Sequence, residues 1–142
     1  MKTTSFPLFF RCLMLAAFCW ILTPGTHQAL AQETIRWQPY DTGIPSAKAD
    51  KKKLMLHFYA DWCGYCKKME AETFRNKEVI QALNDRFVTV RVDTERQKRI
   101  AAQFQVRGLP DTWFVGEDGV PIGNRAGFMS ADQLLKILRS LP

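Results

Sequence analysis

The sequence predicts a single α/β domain in which a central mixed β-sheet carries helices on both faces. Three observations lead there. Leu54 to Tyr59 is a near-continuous apolar run with two aromatics, the pattern of a central strand buried on both faces. Stretches with strand-like and helix-like spacing then alternate along the chain. The last two strand candidates stand close enough to close a hairpin before a final helix. The resulting order, β, α, β, α, β, β, α, is that of a mixed sheet with two helical layers.

Residues 1 to 31 read as a secretory signal peptide. Lys2 supplies the positive start, Leu13 to Leu22 the apolar stretch, and Pro24 and Gly25 the break before Ala29, Leu30 and Ala31. Ala29 and Ala31 form an A-x-A site because the peptidase pockets accept only small side chains, so cleavage after Ala31 is expected. A retained membrane anchor is the rival reading. Ten apolar residues fall short of the ~20 that cross a bilayer, and Arg11 blocks extension backward. No cysteine sits in a lipoprotein-type box.

Residues 32 to 50 hold Trp37, Pro39, Gly43 and Pro45 and read as an N-terminal extension, an extended piece and a loop with a helical turn near Ser46 to Asp50. After the Leu54 to Tyr59 strand, Met69, Thr73 and Phe74 fall at helical spacing from Gly64 onward. Asn76 offers a cap for a second stretch through Val79, Ile80 and Leu83. Phe87, Val88, Val90 and Val92 make the next strand, and Glu95 to Phe104 a helix with Ile100, Ala101 and Phe104 on one face. Thr112 to Val115 and Val120 to Ile122 are the hairpin strands around a turn at Gly116 to Gly119. Ser130 and Gln133 form a capping box for the last helix, striped by Leu134, Leu135, Leu138 and Leu141.

The 142 residues, 46% hydrophobic and 24% charged, suit one domain with a real core and exclude collagen-like, repeat and wholly disordered chains. Loss of residues 1 to 31 removes Lys2 and Arg11 from the 20 basic residues and none of the 14 acidic ones, leaving +4. The Lys51 to Lys53 run and the Arg96, Lys98, Arg99 cluster lack interleaved aromatics, so they read as solvated faces and no nucleic-acid partner is expected.

The cysteines carry the chemistry. Cys12 and Cys19 lie in the apolar N-terminal stretch, which leaves Cys63 and Cys66 in the mature chain. A bridge across a two-residue gap constrains almost nothing, so the pair is kept for reactivity and not as a staple. A C-x-x-C that leaves a buried strand and enters a helix sets its first thiol at the helix N-terminus, where free amides and the dipole stabilise a thiolate. Cys63 is therefore the expected nucleophile. Cys66, one turn on, is placed to attack a mixed disulfide on Cys63 and resolve it. Structural zinc wants four ligands, and the mature chain offers these two cysteines and His57, so no metal or other cofactor is expected.

Tyr59-Ala60-Asp61-Trp62-Cys63-Gly64-Tyr65-Cys66-Lys67 resembles the active-site segment of the thioredoxin superfamily, and Val106-Arg107-Gly108-Leu109-Pro110 resembles its cis-proline loop. The likeness continues through Asp118-Gly119 and Gly127 and implies a thioredoxin-like domain over residues 51 to 142. It implies a cis Pro110 beside the cysteines and a backbone at Leu109 that pairs with an extended substrate strand. Trp62, Gly64 and Tyr65 fall where the substrate groove is shaped. Within the superfamily, the segment with Lys67, Lys68, Met69 and Glu70 looks most like the periplasmic C-terminal domain of the disulfide reductase DsbD.

Three departures stand out. No membrane-spanning electron-transfer domain is present, so a reductant would come from a separate, membrane-bound donor. Gly64-Tyr65 resembles the dipeptide of the isomerase DsbC. His57 stands where family members usually carry a buried acidic residue, six residues before Cys63. Two readings of His57 follow: a proton shuttle for Cys66 with a pKa nearer neutrality, or a core histidine satisfied by a neighbour. Asp111 replaces a threonine common in the family and would set a carboxylate near the site, disfavouring acidic substrates or raising the Cys63 pKa. Trp113 and Phe114 read as core packing.

The resemblance implies a periplasmic, monomeric thiol-disulfide oxidoreductase acting on protein disulfides, as a reductase. The alternatives are a disulfide donor or isomerase, or a non-enzymatic adaptor that holds a soft metal such as Cu(I) through Cys63, Cys66 and His57.

Overall fold

A computed structural model of the protein describes residues 33–142; the signal-peptide reading of residues 1 to 31 lies outside them. Five strands and five helices follow in the order β1 (Trp37–Gln38), α1 (Tyr40–Asp50), β2 (Lys53–Tyr59), α2 (Gly64–Glu72), α3 (Lys77–Arg86), β3 (Phe87–Asp93), α4 (Lys98–Gln103), β4 (Asp111–Val115), β5 (Pro121–Ala126) and α5 (Ala131–Ser140). The sheet runs β1-β3-β2-β4-β5. β3 lies parallel to both β1 and β2, while β4 is antiparallel to β2 and to β5. The mixed sheet with helices on both faces is the predicted architecture.

Strand alternation divides the core in two. Met55, on β2, and Phe114, on β4, meet Met69 and Phe74 and the apolar stripes Val79, Ile80, Leu83 of α3 and Leu134, Leu135, Leu138 of α5. Leu54, Leu56 and Phe58, with Val88, Val90 and Val92, meet Ala47 of α1 and, from α4 and its end, Ile100, Ala101 and Phe104. Caps end the helices where the sequence predicts them. Asn76 Oδ1 accepts from the Glu78 and Val79 amides, and Ser130 and Gln133 exchange the two bonds of a capping box.

Three boundaries differ from the sequence reading. Residues 40 to 50 form a full helix and not a loop, although they contain Gly43 and Pro45. Pro45 sits on the exposed side. Gly43 is there for contact: a Cβ at this position would overlap Val90 Cγ2, so only glycine lets α1 settle on β3. Gly43→Ala is expected to lower stability by about 1–2 kcal/mol, since overpacking of about 1–3 kcal/mol outweighs alanine's helix preference of up to about 1 kcal/mol. A lowered urea midpoint at unchanged slope checks this.

The predicted helix at Glu95 starts later, at Lys98, because the Asp93 carboxylate accepts from the Glu95 and Arg96 amides and holds a turn there. β5 runs on to Ala126, well past Ile122, and nearly all of it is exposed, so it has no apolar alternation to read.

The start of the described chain is fastened to α3. Buried Asn84 accepts from the Arg36 amide at 3.0 Å and donates to the Thr34 carbonyl at 2.9 Å. No helix among the described residues is long and apolar enough to cross a membrane.

Candidate active site at the start of α2

β2 delivers the chain to the end of the sheet, where the Cys63 amide donates to the Ala60 carbonyl and turns it into α2. Cys63 is the N-cap, and its Sγ accepts from the Cys66 amide at 3.1 Å. That amide is one of the donors a helix start leaves free, and with the dipole it stabilises negative charge on Sγ. Cys63 and Cys66 are joined as a disulfide with Cα atoms 5.3 Å apart. Both cysteines are buried, in a cluster with Ala60 and against the half-buried Tyr59 and Leu109.

The predicted substrate-facing residues frame this pair. Trp62 and Tyr65 are 70% and 66% exposed, large rings left in water on either side of the nucleophile. A Cβ on Gly64 would meet no atom within 4 Å, so the surface between the rings is open. Leu109 packs on the cysteine cluster. The Leu109–Pro110 bond is cis, and the Pro110 carbonyl accepts from the Gly127 amide at 2.7 Å, tying this loop to the β5–α5 connection.

His57 lies fully buried, pointing into the α2, α3 and α5 layer. Its Nδ1 pairs with Thr112 Oγ1 at 3.2 Å, while Phe74 packs edge-on at 4.9 Å and Trp37 at 6.1 Å between ring centres. Nε2 has no hydrogen-bond partner in the protein. Burial, aided by the Arg91 charge on the neighbouring strand, lowers its pKa from 6.5 to about 3. Desolvation in this aromatic cage opposes the imidazolium. Arg91 itself is held by Glu70 of α2 and by the faces of Tyr59 and Trp37.

The Asp111 carboxylate is buried and accepts from Trp113 Nε1 at 3.1 Å and from Asn124 Nδ2 at 3.0 Å, so it fastens β4 to β5. Trp113 packs beside Phe104, and Phe114 lies in the core, as expected.

Sequence reasoning missed Phe128. It sits in the β5–α5 connection with Lys68 Nζ 4.8 Å above its ring, beside the loop that Gly127 ties to Pro110. A loop residue has no periodicity to mark it, and the only available signal was Gly127 just before it. Among the described residues, no group of three or more His, Cys, Asp or Glu side chains is placed to hold a metal ion.

Comparison with known proteins agrees with this geometry. The sequence model of the thioredoxin-like domain matches residues 40–142. The chain is 36% identical over 96 residues to the thiol:disulfide interchange protein DsbD of Photorhabdus laumondii, covering 64% of this chain and 17% of that much longer protein. A thioredoxin from Thermus thermophilus superposes with a TM-score of 0.68 at 28% identity, over 75% of this chain and 85% of its own. The oxidised C-terminal domain of Neisseria meningitidis DsbD superposes with a TM-score of 0.58 at 27% identity, over 68% and 90%.

Proposed function

The chain belongs to the thioredoxin-like family, and from that premise we propose that it is a periplasmic thiol-disulfide oxidoreductase that reduces disulfides in protein substrates. The observation that carries this reading is Cys63 as N-cap of α2, its Sγ on the Cys66 amide and within bonding reach of Cys66. In the reduced protein the Cys63 thiolate attacks a substrate disulfide, forming a mixed disulfide and releasing one substrate thiolate. The Cys66 thiolate then attacks Cys63 Sγ, which closes the Cys63–Cys66 bond and releases the second substrate thiolate. Two electrons pass to the substrate, and each released thiolate takes a proton from solvent.

Trp62, Gly64, Tyr65, Leu109 and Pro110 serve as the substrate-binding surface, with the Leu109 backbone available to an extended segment. The lowered pKa of His57 supports the core reading, in which it is neutral and positions β2 against β4 through Thr112. The reading of residues 1 to 31 supports export, and the likeness to part of DsbD supports the reducing direction with a membrane-bound electron donor. The protein works as a monomer.

The reduction potential of the Cys63–Cys66 pair tests this, followed by Trp62 fluorescence in defined thiol-disulfide buffers. A value toward about −270 mV is expected; one near about −120 mV would make the protein a disulfide donor instead.

A further inference from the structure

A groove of about 480 Å³ opens between β5, the β5–α5 connection and α5. Phe128, Met129 and Ile137 form its apolar wall, and Arg125 and Lys136 stand exposed at its mouth. Lys68 of α2 extends this cationic rim, its Nζ lying over the Phe128 ring. No Asp or Glu lines the groove; Asp132, in the first turn of α5, is not among its residues. Among the described residues none of Lys68, Arg125 and Lys136 has a carboxylate within 4.0 Å.

The groove is also joined to the chemistry. Lys68 follows Cys66 by two residues on α2, and Gly127, just before Phe128, donates to the carbonyl of Pro110. These two links connect the rim of the groove to the helix that carries the cysteines and to the Pro110 loop. Free cations over an apolar wall match a segment in which Asp or Glu alternates with large apolar side chains. The buried, occupied Asp111 carboxylate does not oppose such a segment.

Resting on the oxidoreductase reading, we propose that this groove docks an acidic, apolar segment of the protein substrate and so selects which disulfides reach Cys63. Arg125 and Lys136 are specificity-determining residues, and Lys68 strengthens the same preference.

The test uses cysteine-free synthetic peptides of about twelve residues, one alternating Glu with Phe and Leu and one with every Glu replaced by Lys. Binding to the oxidised protein is followed by Trp62 fluorescence and by backbone amide shifts. The acidic peptide is expected to bind about tenfold more tightly at low salt, to shift the Phe128 and Ile137 amides, and to weaken as salt rises. Arg125→Glu with Lys136→Glu is expected to erase the preference while exchange with glutathione disulfide stays at the wild-type rate.

Equal binding of the two peptides, or a preference that survives the double substitution, would overturn the proposal. So would charge-dependent binding confined to phosphatidylglycerol vesicles, which would make the groove a membrane contact. Because the peptides carry no disulfide and glutathione disulfide has no acidic apolar segment, failure of docking and failure of redox chemistry give separate results.

Discussion

Cys63→Ser is expected to lower disulfide exchange by at least about a thousandfold, because the thiol that remains, Cys66, is buried inside the first turn of α2 and does not hold the N-cap position. Cys66→Ser has a different signature. Cys63 keeps its N-cap position and the amide of residue 66, so the first attack proceeds and the protein is stranded as a mixed disulfide. Non-reducing gels and intact mass spectrometry should show a covalent adduct with Cys66→Ser that is absent from Cys63→Ser. Adducts with both variants, or with neither, would remove the division of labour between the two thiols.

Acid is expected to destabilise the fold through His57. Above pH 6.5 the imidazole is neutral in both folded and unfolded chains, so it adds no pH dependence. Below 6.5 the unfolded chain takes up a proton that the buried ring refuses until about pH 3, and stability falls across that window. The full shift corresponds to roughly 4–5 kcal/mol, a large share of a typical domain's total stability. In protein prepared to begin at Gln32, His57 is the sole histidine, so between pH 6.5 and about 4.5 the effect belongs to it.

Urea melts across that range should show a decline of roughly 2–3 kcal/mol in the protein, and a flat profile in His57→Leu. The variant leaves the Thr112 hydroxyl without its partner, so no gain in stability is expected at pH 7. An equal decline in both would assign the acid sensitivity to carboxylates. Exchange rates in the same variant separate the two readings of His57: an unchanged pH profile fits a positioning residue, and a shifted one restores proton transfer.

Much of this was legible in the sequence where one residue's neighbours lie within a turn or a strand of it. The capping box at Ser130, the apolar run of β2 and the C-x-x-C at a helix start are such local patterns. α1 was not legible, because Gly43 and Pro45 ordinarily break helices and only contact with Val90 shows why glycine is needed. β5 is exposed over most of its length and so lacks the alternation that marks a half-buried strand. At the site, the depth of β2 was readable. The cage around His57 was not, since Trp37 and Phe74 arrive from segments on either side of it in sequence. The groove likewise joins β5 and α5, with Lys68 of α2 at its rim, and no spacing in the sequence announces it.

The bond from Asn84 to the Thr34 carbonyl, and the pairing of Trp37 and Gln38 with β3, place the entry of the described chain at one edge of the sheet while β5 forms the other. Four strand spacings, or about 19 Å, separate those edges. A linker or solid support joined just ahead of Glu33 would therefore hold the molecule by its β1 side. The β5 flank would stay turned toward solution, free to meet large partners.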